Sequence, residues 1–180
     1  MEETYIVDIT ELILDDHHEQ RRLFAILEQI QRSDVANLTV VWNRLAAFLD
    51  LHAEAEERLF YPALLHLGRG VDGEHTPPEE TEDAIHDHND IRDAVAEVAK
   101  HDIGSDGWYA AVAAVNKANG DHMAEEEREG LTDFRRNTSL KTRHELGVEF
   151  AAFEAAHVTG VEPVDKDPQE YIDQHLRGGD

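Results

Sequence analysis

Apolar residues recur at every third or fourth position along most of the chain, which is the period of an α-helix. Four long segments follow this pattern: residues 9 to about 32, 38 to just before 68, 77 to the turn that begins at 102, and 108 to 129. A fifth segment, Leu140–Ala156, has a weaker apolar face, and no alternating pattern typical of a β-strand competes with the helical one. We therefore predict an all-α fold: an up-down-up-down four-helix bundle with an additional C-terminal helix.

The ends of these segments carry residues that cap or interrupt helices. Asp8, Thr76 and Ser139 each stand where a helix is about to begin, and side chains of these types accept hydrogen bonds from the first free amides of a helix. Pro62 has no amide hydrogen, so we expect it to kink or interrupt the second helix near its end. Gly130 is predicted to cap the end of the fourth helix.

The 180 residues fit one domain with a short extension. We expect the bundle and its trailing helix to occupy residues 1–157, and a polar C-terminal tail, with one helical turn around residues 170–175, to occupy residues 158–180. No apolar run approaches the roughly 18 residues of a membrane-spanning helix, and the N-terminus lacks the pattern of a secretory signal. We therefore expect a cytoplasmic protein with no membrane partner.

The charge balance and the residue types present narrow the chemistry further. The chain carries 40 Asp and Glu against 16 Lys and Arg, a formal net charge of -24, and such a surface repels the phosphates of nucleic acids. Nucleic-acid binding is therefore not expected. The absence of cysteine excludes disulfides, thiolate metal ligands and a cysteine nucleophile. The chain has 12 histidines, and histidine is the commonest metal ligand in proteins. Their positions along the helices decide whether they can form a metal site.

Each of the four long helices is predicted to place one histidine in its apolar stripe, and in two of them a glutamate follows four residues later. The side chains concerned are His17, His52 with Glu56, His88, and His122 with Glu126. Residues four apart lie on the same helical face, so each pair can aim an imidazole and a carboxylate at one point in the core. Buried carboxylates need compensating charge, and nitrogen and oxygen ligands of this kind suit iron, manganese or zinc. The pattern therefore predicts a dinuclear metal site.

Each part of this pattern also has a simpler interpretation. A single histidine on an apolar face is usually a hydrogen-bonded core residue. The same spacing occurs at His75 and Glu79, which lie at a loop-helix junction, and we interpret that pair as coincidence. The metal-site prediction therefore depends on the joint occurrence of the four stripe histidines and two glutamates.

At these positions the sequence resembles the hemerythrin-like family, also called the HHE cation-binding domain, in its bacterial form. The resemblance rests on DHHEQRRLF at 16–24, HAEAEERLFYP at 52–62, HDHNDI at 86–91 and HMAEEERE at 122–129. It implies a non-haem centre of two iron ions (Fe2+/Fe3+) that is bridged by two carboxylates and an oxo or hydroxo group. By position, the four histidines would be terminal ligands, and Glu56 and Glu126 would be the bridges.

One position departs from the oxygen-carrying members of that family, which have a second histidine on the third helix. Here that position is Ala84, and His86 is expected to point to the opposite face, so it cannot easily replace the missing ligand. An additional open metal position would favour turnover over reversible oxygen carriage. Asn119 either adds a polar group near the pocket or is an ordinary surface amide. Tyr61 either lies near the site or only packs in the core.

Three functions follow from this interpretation. The preferred one is reaction with small oxidants (O2, H2O2 or NO), in particular a catalase-like decomposition of hydrogen peroxide. The second is binding or sensing of O2, NO or iron without turnover, and the third is a structural bundle without metal. We expect a monomer or a homodimer.

Overall fold

The computed structural model describes residues 6–71 and 75–177, and secondary structure within these residues is helical apart from an isolated bridge between Val71 and His75. The all-α prediction is confirmed. The helices are α1 Ile9–Gln29, α2 Val35–Ala55, α3 Tyr61–Leu67, α4 Pro77–Val98, α5 Asp106–Arg128, α6 Gly130–Asn137, α7 Leu140–Ala156 and α8 Pro168–Arg177. The helices in these ranges lack an apolar stretch of the length that a bilayer crossing requires.

Side-chain caps fix where several helices begin. The Asp8 carboxylate accepts a hydrogen bond from the Thr10 amide at 2.9 Å, and Ser139 accepts one from the Thr142 amide at 3.1 Å. Thr76 forms a reciprocal capping box with Glu79 at the start of α4. The three predicted caps are therefore confirmed.

The predicted interruption at Pro62 takes the form of a π-helical turn, Glu56–Phe60, between α2 and α3. The Tyr61 amide donates to the Glu56 carbonyl, five residues earlier, instead of to the Glu57 carbonyl. Pro62 has no amide to offer, so the wider turn accommodates the break in the hydrogen-bond ladder. As a consequence, the successive side chains of Glu56 and Glu57 are both buried.

The prediction that Gly130 caps the fourth helix is wrong. The α-helix α5 ends at Arg128, Glu129 adopts a non-helical backbone conformation, and Gly130 begins α6 instead of adopting the positive φ of a capping glycine. The chain continues as a helix because Leu131 and Phe134 of α6 bury their side chains in the core.

The C-terminal segment contains more structure than the single predicted turn. The ten residues of α8 bury Pro168, Tyr171 and Ile172 and pack against α3 and α4. The Tyr171 hydroxyl donates a hydrogen bond to the Glu57 backbone carbonyl. The division of the chain at residue 157 stays a prediction.

Two apolar clusters form the core, and a polar layer lies between them. One cluster contains Ile13, Ala55, Ile85 and Leu131, and the other contains Leu23, Leu49, Ile91 and Val115. Along α1, α2 and α4 the stripe histidine stands between a residue of one cluster and a residue of the other, and His122 stands between Val115 of α5 and Leu131 of α6. The two clusters therefore hold the candidate site between them and keep its surroundings apolar.

Candidate metal centre

The structure brings all six predicted ligands to the polar layer, and each is at least 95% buried. They come from four helices and the π-helical turn: His17 from α1, His52 from α2, Glu56 from the π turn, His88 from α4, and His122 and Glu126 from α5. Because the apolar clusters lie on both sides of the layer, these side chains have little access to water.

Five of these side chains form two groups that share Glu56. One group is His17, His52 and Glu56, and the other is Glu56, His88 and His122, with the potential ligand atoms of each group within 4.8 Å of one another. Glu56 Oε1 lies 3.0 Å from His52 Nε2, and Oε2 lies 3.3 Å from His88 Nε2. The two oxygens of one carboxylate therefore face two separate ligand groups, which is the arrangement that a bridging carboxylate requires.

Glu126 approaches the first of these groups from α5. Its Oε2 lies 3.3 Å from His17 Nε2, and its Oε1 accepts a hydrogen bond from the Tyr61 hydroxyl. Burial and the adjacent Glu126 and Glu56 carboxylates raise the pKa of Tyr61 well above its usual value, so the phenol keeps its proton for this hydrogen bond. Tyr61 therefore lies beside the candidate site, which favours the first of its two interpretations over simple core packing.

Each candidate histidine turns its second ring nitrogen, Nδ1, toward a carboxylate outside the two groups. The pairs are His17 with Glu127 at 2.9 Å, His52 with Asp16 at 2.9 Å, His88 with Glu57 at 2.8 Å, and His122 with Asp87 at 3.4 Å. Asp16 of α1 faces α2, Glu57 of the π turn that follows α2 faces α4, Asp87 of α4 faces α5, and Glu127 of α5 faces α1, so the pairs form a closed ring around the bundle. We refer to these four carboxylates as the outer carboxylates. They favour the proton on Nδ1 and turn the Nε2 lone pair inward.

The helical pattern of the sequence does not reveal the outer carboxylates, although their positions in the chain carry a simple signal. Each is the immediate neighbour of a candidate ligand: Asp16 precedes His17, Glu57 follows Glu56, Asp87 precedes His88 and Glu127 follows Glu126. Adjacent residues project about 100° apart around a helix, so a neighbour of an inward ligand can reach the next helix. This signal can be interpreted only when the order of the helices around the core is known.

Several inward-facing atoms have no hydrogen-bond partner among the described residues. They are Nε2 of His17 and of His52, both oxygens of Glu56, and Oε2 of Glu126. Leaving a buried polar group unsatisfied costs about 1–3 kcal/mol, and more when the group is charged. Nε2 of His88 also lies only 3.1 Å from Nε2 of His122, so two lone pairs face each other when both Nδ1 atoms carry the protons. Cations at this point satisfy all these atoms, and the donor set therefore fits a pair of metal ions.

Protons on the imidazoles are the other way to balance these carboxylates. Burial opposes a charge on His52, but Glu56 and Asp16 hold its pKa well above the usual value. Burial likewise opposes a charge on His88, whereas hydrogen bonds to Glu56 and Glu57 raise its pKa to about 9. Protons and metal ions therefore compete for the same inward positions.

Basic side chains hold one outer carboxylate, Glu57, in its ionised form. Burial raises its pKa, but the hydrogen bonds from His88 and Lys166 and the charge of Arg92 lower the pKa to about 2. Arg92 Nη2 lies 2.9 Å from Glu57 Oε1, and the Lys166 ammonium contacts Oε2. Lys166 comes from the segment before α8, so the C-terminal part of the chain contributes to the surroundings of the site.

Three residues around the candidate ligands, Ala84, His86 and Asn119, differ in their burial. His86 is exposed, as predicted, and Ala84 is buried in the wall of a cleft that reaches Tyr61, His122 and Glu126. Asn119 is buried, which contradicts the surface-amide interpretation.

Asn119 donates to Gln20 Oε1 at 2.9 Å and lines a small cavity with His52, His88 and His122. It therefore adds a polar group to the edge of the site without contacting the inward Nε2 atoms in any described hydrogen bond.

His75 and Glu79 do not act as a pair. Glu79 accepts hydrogen bonds from the amide and the hydroxyl of Thr76, whereas His75 Nδ1 lies 2.9 Å from Glu129 Oε2. The spacing of His75 and Glu79 is therefore unrelated to a shared ligand site, as predicted.

Comparison with known proteins identifies a family but no individual relative. No curated protein and no solved structure matches the chain. The family model of the hemerythrin HHE cation-binding domain matches residues 8–131, a range that contains all six candidate ligands and all four outer carboxylates. The chain therefore belongs to the hemerythrin HHE cation-binding domain family.

Proposed function

We propose that the polar layer holds two iron ions, one near His17 and His52 and the other near His88 and His122, with Glu56 and Glu126 as bridges. The observation that carries this proposal is the ring of outer carboxylates, which turns the lone pairs of the histidines toward carboxylate oxygens that have no other partner. A polar layer of this composition is costly to bury without cations.

We further propose that the centre reacts with a small oxidant such as O2, H2O2 or NO. Bound iron would supply the one-electron and two-electron redox chemistry that the side chains themselves lack. The chain supplies access, because the small side chain of Ala84 leaves the cleft open as far as His122 and Glu126. Tyr61 orients Glu126 through its hydrogen bond, and the apolar clusters on both sides exclude bulk water.

Within this proposal, turnover and binding differ in their consequences for peroxide. Catalase-like decomposition predicts that added H2O2 disappears over many equivalents per chain and that O2 is released. Binding or sensing without turnover predicts a stable altered spectrum and little peroxide consumption. The open wall at Ala84 favours an accessible centre, and the catalase-like reaction itself stays a prediction.

The same residues support the predicted up-down-up-down order of the long helices. Along α1 and α4 the chain runs from the cluster of Ile13 and Ile85 to the cluster of Leu23 and Ile91, whereas along α2, and from α5 into α6, it runs the opposite way. We infer that consecutive long helices are antiparallel, as the four-helix-bundle prediction requires.

The direct test is the iron content of matched histidine variants. Protein reconstituted with Fe2+ without oxygen, then desalted, should hold two iron ions per chain. His17→Ala should lower this content to one or less. His18→Ala, which removes the exposed neighbouring imidazole, should leave it unchanged. Equal iron contents in the two variants, or wild-type protein without tightly bound iron, would contradict the proposal.

A further inference from the structure

A cleft lined by acidic side chains connects the surface with the candidate metal centre. It lies between α4, α5 and the start of α3, and its inner end is formed by Tyr61, His122 and Glu126. Five further carboxylates line it: Glu80, Asp83, Asp87, Glu125 and Glu129. A narrow cleft with walls of one sign of charge concentrates ions of the opposite sign.

Three side chains near the outer end of this cleft have the geometry of a cation site. His75, Glu125 and Glu129 each offer a potential ligand atom, and these atoms lie within 4.8 Å of one another. Glu129 Oε1 accepts from Arg128 at 2.8 Å, which orients the carboxylate so that Oε2 faces His75. One imidazole with two carboxylates suits borderline divalent cations such as Fe2+, Mn2+ or Zn2+.

Glu80 provides an independent sign that the cleft accommodates a cation. Its side chain is buried, with 8% of the residue exposed, and neither carboxylate oxygen has a hydrogen-bond partner among the described residues. Burial and the neighbouring Asp133 and Glu129 raise its pKa to about 7. A carboxylate held without a partner in an acidic cleft is a group that a passing cation would stabilise.

We propose that His75, Glu125 and Glu129 form a third divalent-cation site, and that this site captures iron for delivery past Glu80 to His122 and Glu126. The delivery step rests on the proposed function of the buried centre, whereas the capture site does not. His75 is two-fifths exposed and the group supplies only three ligands, so open positions remain for water and for rapid exchange. Such a site binds weakly enough to release its ion inward.

The capture site is tested with Mn2+ in protein whose buried centre has been disabled. In a His52→Ala, His122→Ala background, the chain should still bind one Mn2+, measured by the loss of the free-ion electron paramagnetic resonance signal. Adding His75→Ala should abolish this binding. If His75→Ala leaves Mn2+ binding unchanged, or if the background protein binds no Mn2+, the proposed capture site does not exist. This conclusion holds whether or not the buried centre binds iron.

Delivery is tested by the rate at which metal-free protein incorporates Fe2+ under anaerobic conditions. Glu125→Gln with Glu129→Gln should slow incorporation about tenfold, the lower end of the rate effect of a charged cleft, while the final iron content stays at the wild-type value. His75→Ala should also slow it, although it removes no negative charge. Glu82→Gln, which removes an exposed carboxylate of α4 that does not line the cleft, is the matched control.

The outcomes separate the two proposals. Wild-type rates in the His75 and Glu125–Glu129 variants, or equal slowing in the Glu82→Gln control, would overturn the delivery role. A wild-type chain that retains no buried iron would overturn the proposed function and the delivery role with it, while the Mn2+ result would still decide the capture site. Circular dichroism of each variant excludes loss of fold as the cause.

Discussion

At the scale of single residues, the chemistry of the centre depends on side chains that do not point into it. Each outer carboxylate fixes the orientation and the protonation of one imidazole, because a proton on Nδ1 leaves Nε2 free to bind a cation. The four pairs link the long helices in a ring, so a change in one carboxylate acts on a candidate ligand of the neighbouring helix. Substitutions beside the ligands are therefore informative.

Replacing Asp16 by Asn should weaken iron binding. The substitution keeps the size of the side chain but removes the charge that His52 Nδ1 faces at 2.9 Å, and loss of such a partner typically lowers metal affinity about 10–100-fold. Competition with a chelator measures the affinity. Asp15→Asn changes an exposed neighbour and should leave it unaffected. Identical chelator resistance in both variants would show that the Asp16 contact does not position the ligand.

The raised pKa of Glu80 predicts that the stability of the metal-free protein depends on pH. Its pKa is raised from the ordinary 4.5 to about 7 in the folded chain, so ionisation costs the folded state more than the unfolded state. This cost is absent below about pH 4.5, grows as the pH rises to 7 and is constant above that.

Glu80→Gln should therefore stabilise the metal-free chain more at pH 8 than at pH 5. The gain should be about 1–2 kcal/mol, reduced from the full shift because part of the charge is screened by solvent. Urea unfolding at the two pH values measures it. A Glu80→Gln effect that is the same at both values would show that Glu80 ionises without penalty.

At the scale of secondary-structure elements, the π-helical turn and α8 act together. The turn diverts the Tyr61 amide to the Glu56 carbonyl, and Pro62 has no amide, so the Glu57 carbonyl loses its partners in the helix. The Tyr171 hydroxyl of α8 replaces them. The element that buries both Glu56 and Glu57 is therefore completed by a segment from the other end of the chain.

Tyr171→Phe should destabilise the protein by about 1–3 kcal/mol, because it leaves the buried Glu57 carbonyl without a donor. It should also weaken iron binding, since the π turn carries Glu56, a proposed iron ligand. Thermal unfolding and iron retention are the measurements, and Tyr109→Phe, which removes a hydroxyl beside the other apolar cluster, is the control. Equal unfolding temperatures for the two variants would contradict this role of α8.

Helical periodicity was sufficient to predict the helical class and the inward position of the six side chains, because the candidate ligands and the core residues share one helical stripe. It was not sufficient for the π turn, since an extra residue in a turn leaves no mark beyond Pro62. Gly130 shows a further limit: a glycine after a helix is compatible with an end or with a new start. The outer carboxylates and α8 depend on contacts between distant segments, such as Glu127 with His17, which local patterns do not contain.

At the scale of the whole molecule, a strongly acidic chain with two apolar clusters encloses a layer of buried imidazoles and carboxylates. Such a layer stabilises the fold only when its charges are balanced. The cations are therefore expected to be part of the folded structure, and their removal should affect the entire domain.

Metal-free protein should unfold at a markedly lower temperature than the iron-loaded form. A ligand present at about 1,000 times its dissociation constant adds about 4 kcal/mol, which corresponds to roughly 10 °C for a domain of this size. Differential scanning calorimetry measures the shift. A His52→Ala, His122→Ala chain should show none of it, and an equal shift in that double variant would assign the stabilisation to cations bound elsewhere.

X-ray absorption at the iron edge of the reconstituted protein is the sharpest test of the two-iron centre, because it reports the neighbours of each bound iron. We expect nitrogen and oxygen ligands with imidazole scattering, and a second iron within about 4 Å, the usual separation in two-metal sites. Iron without an iron neighbour, or iron surrounded only by water and carboxylate oxygen, would contradict it.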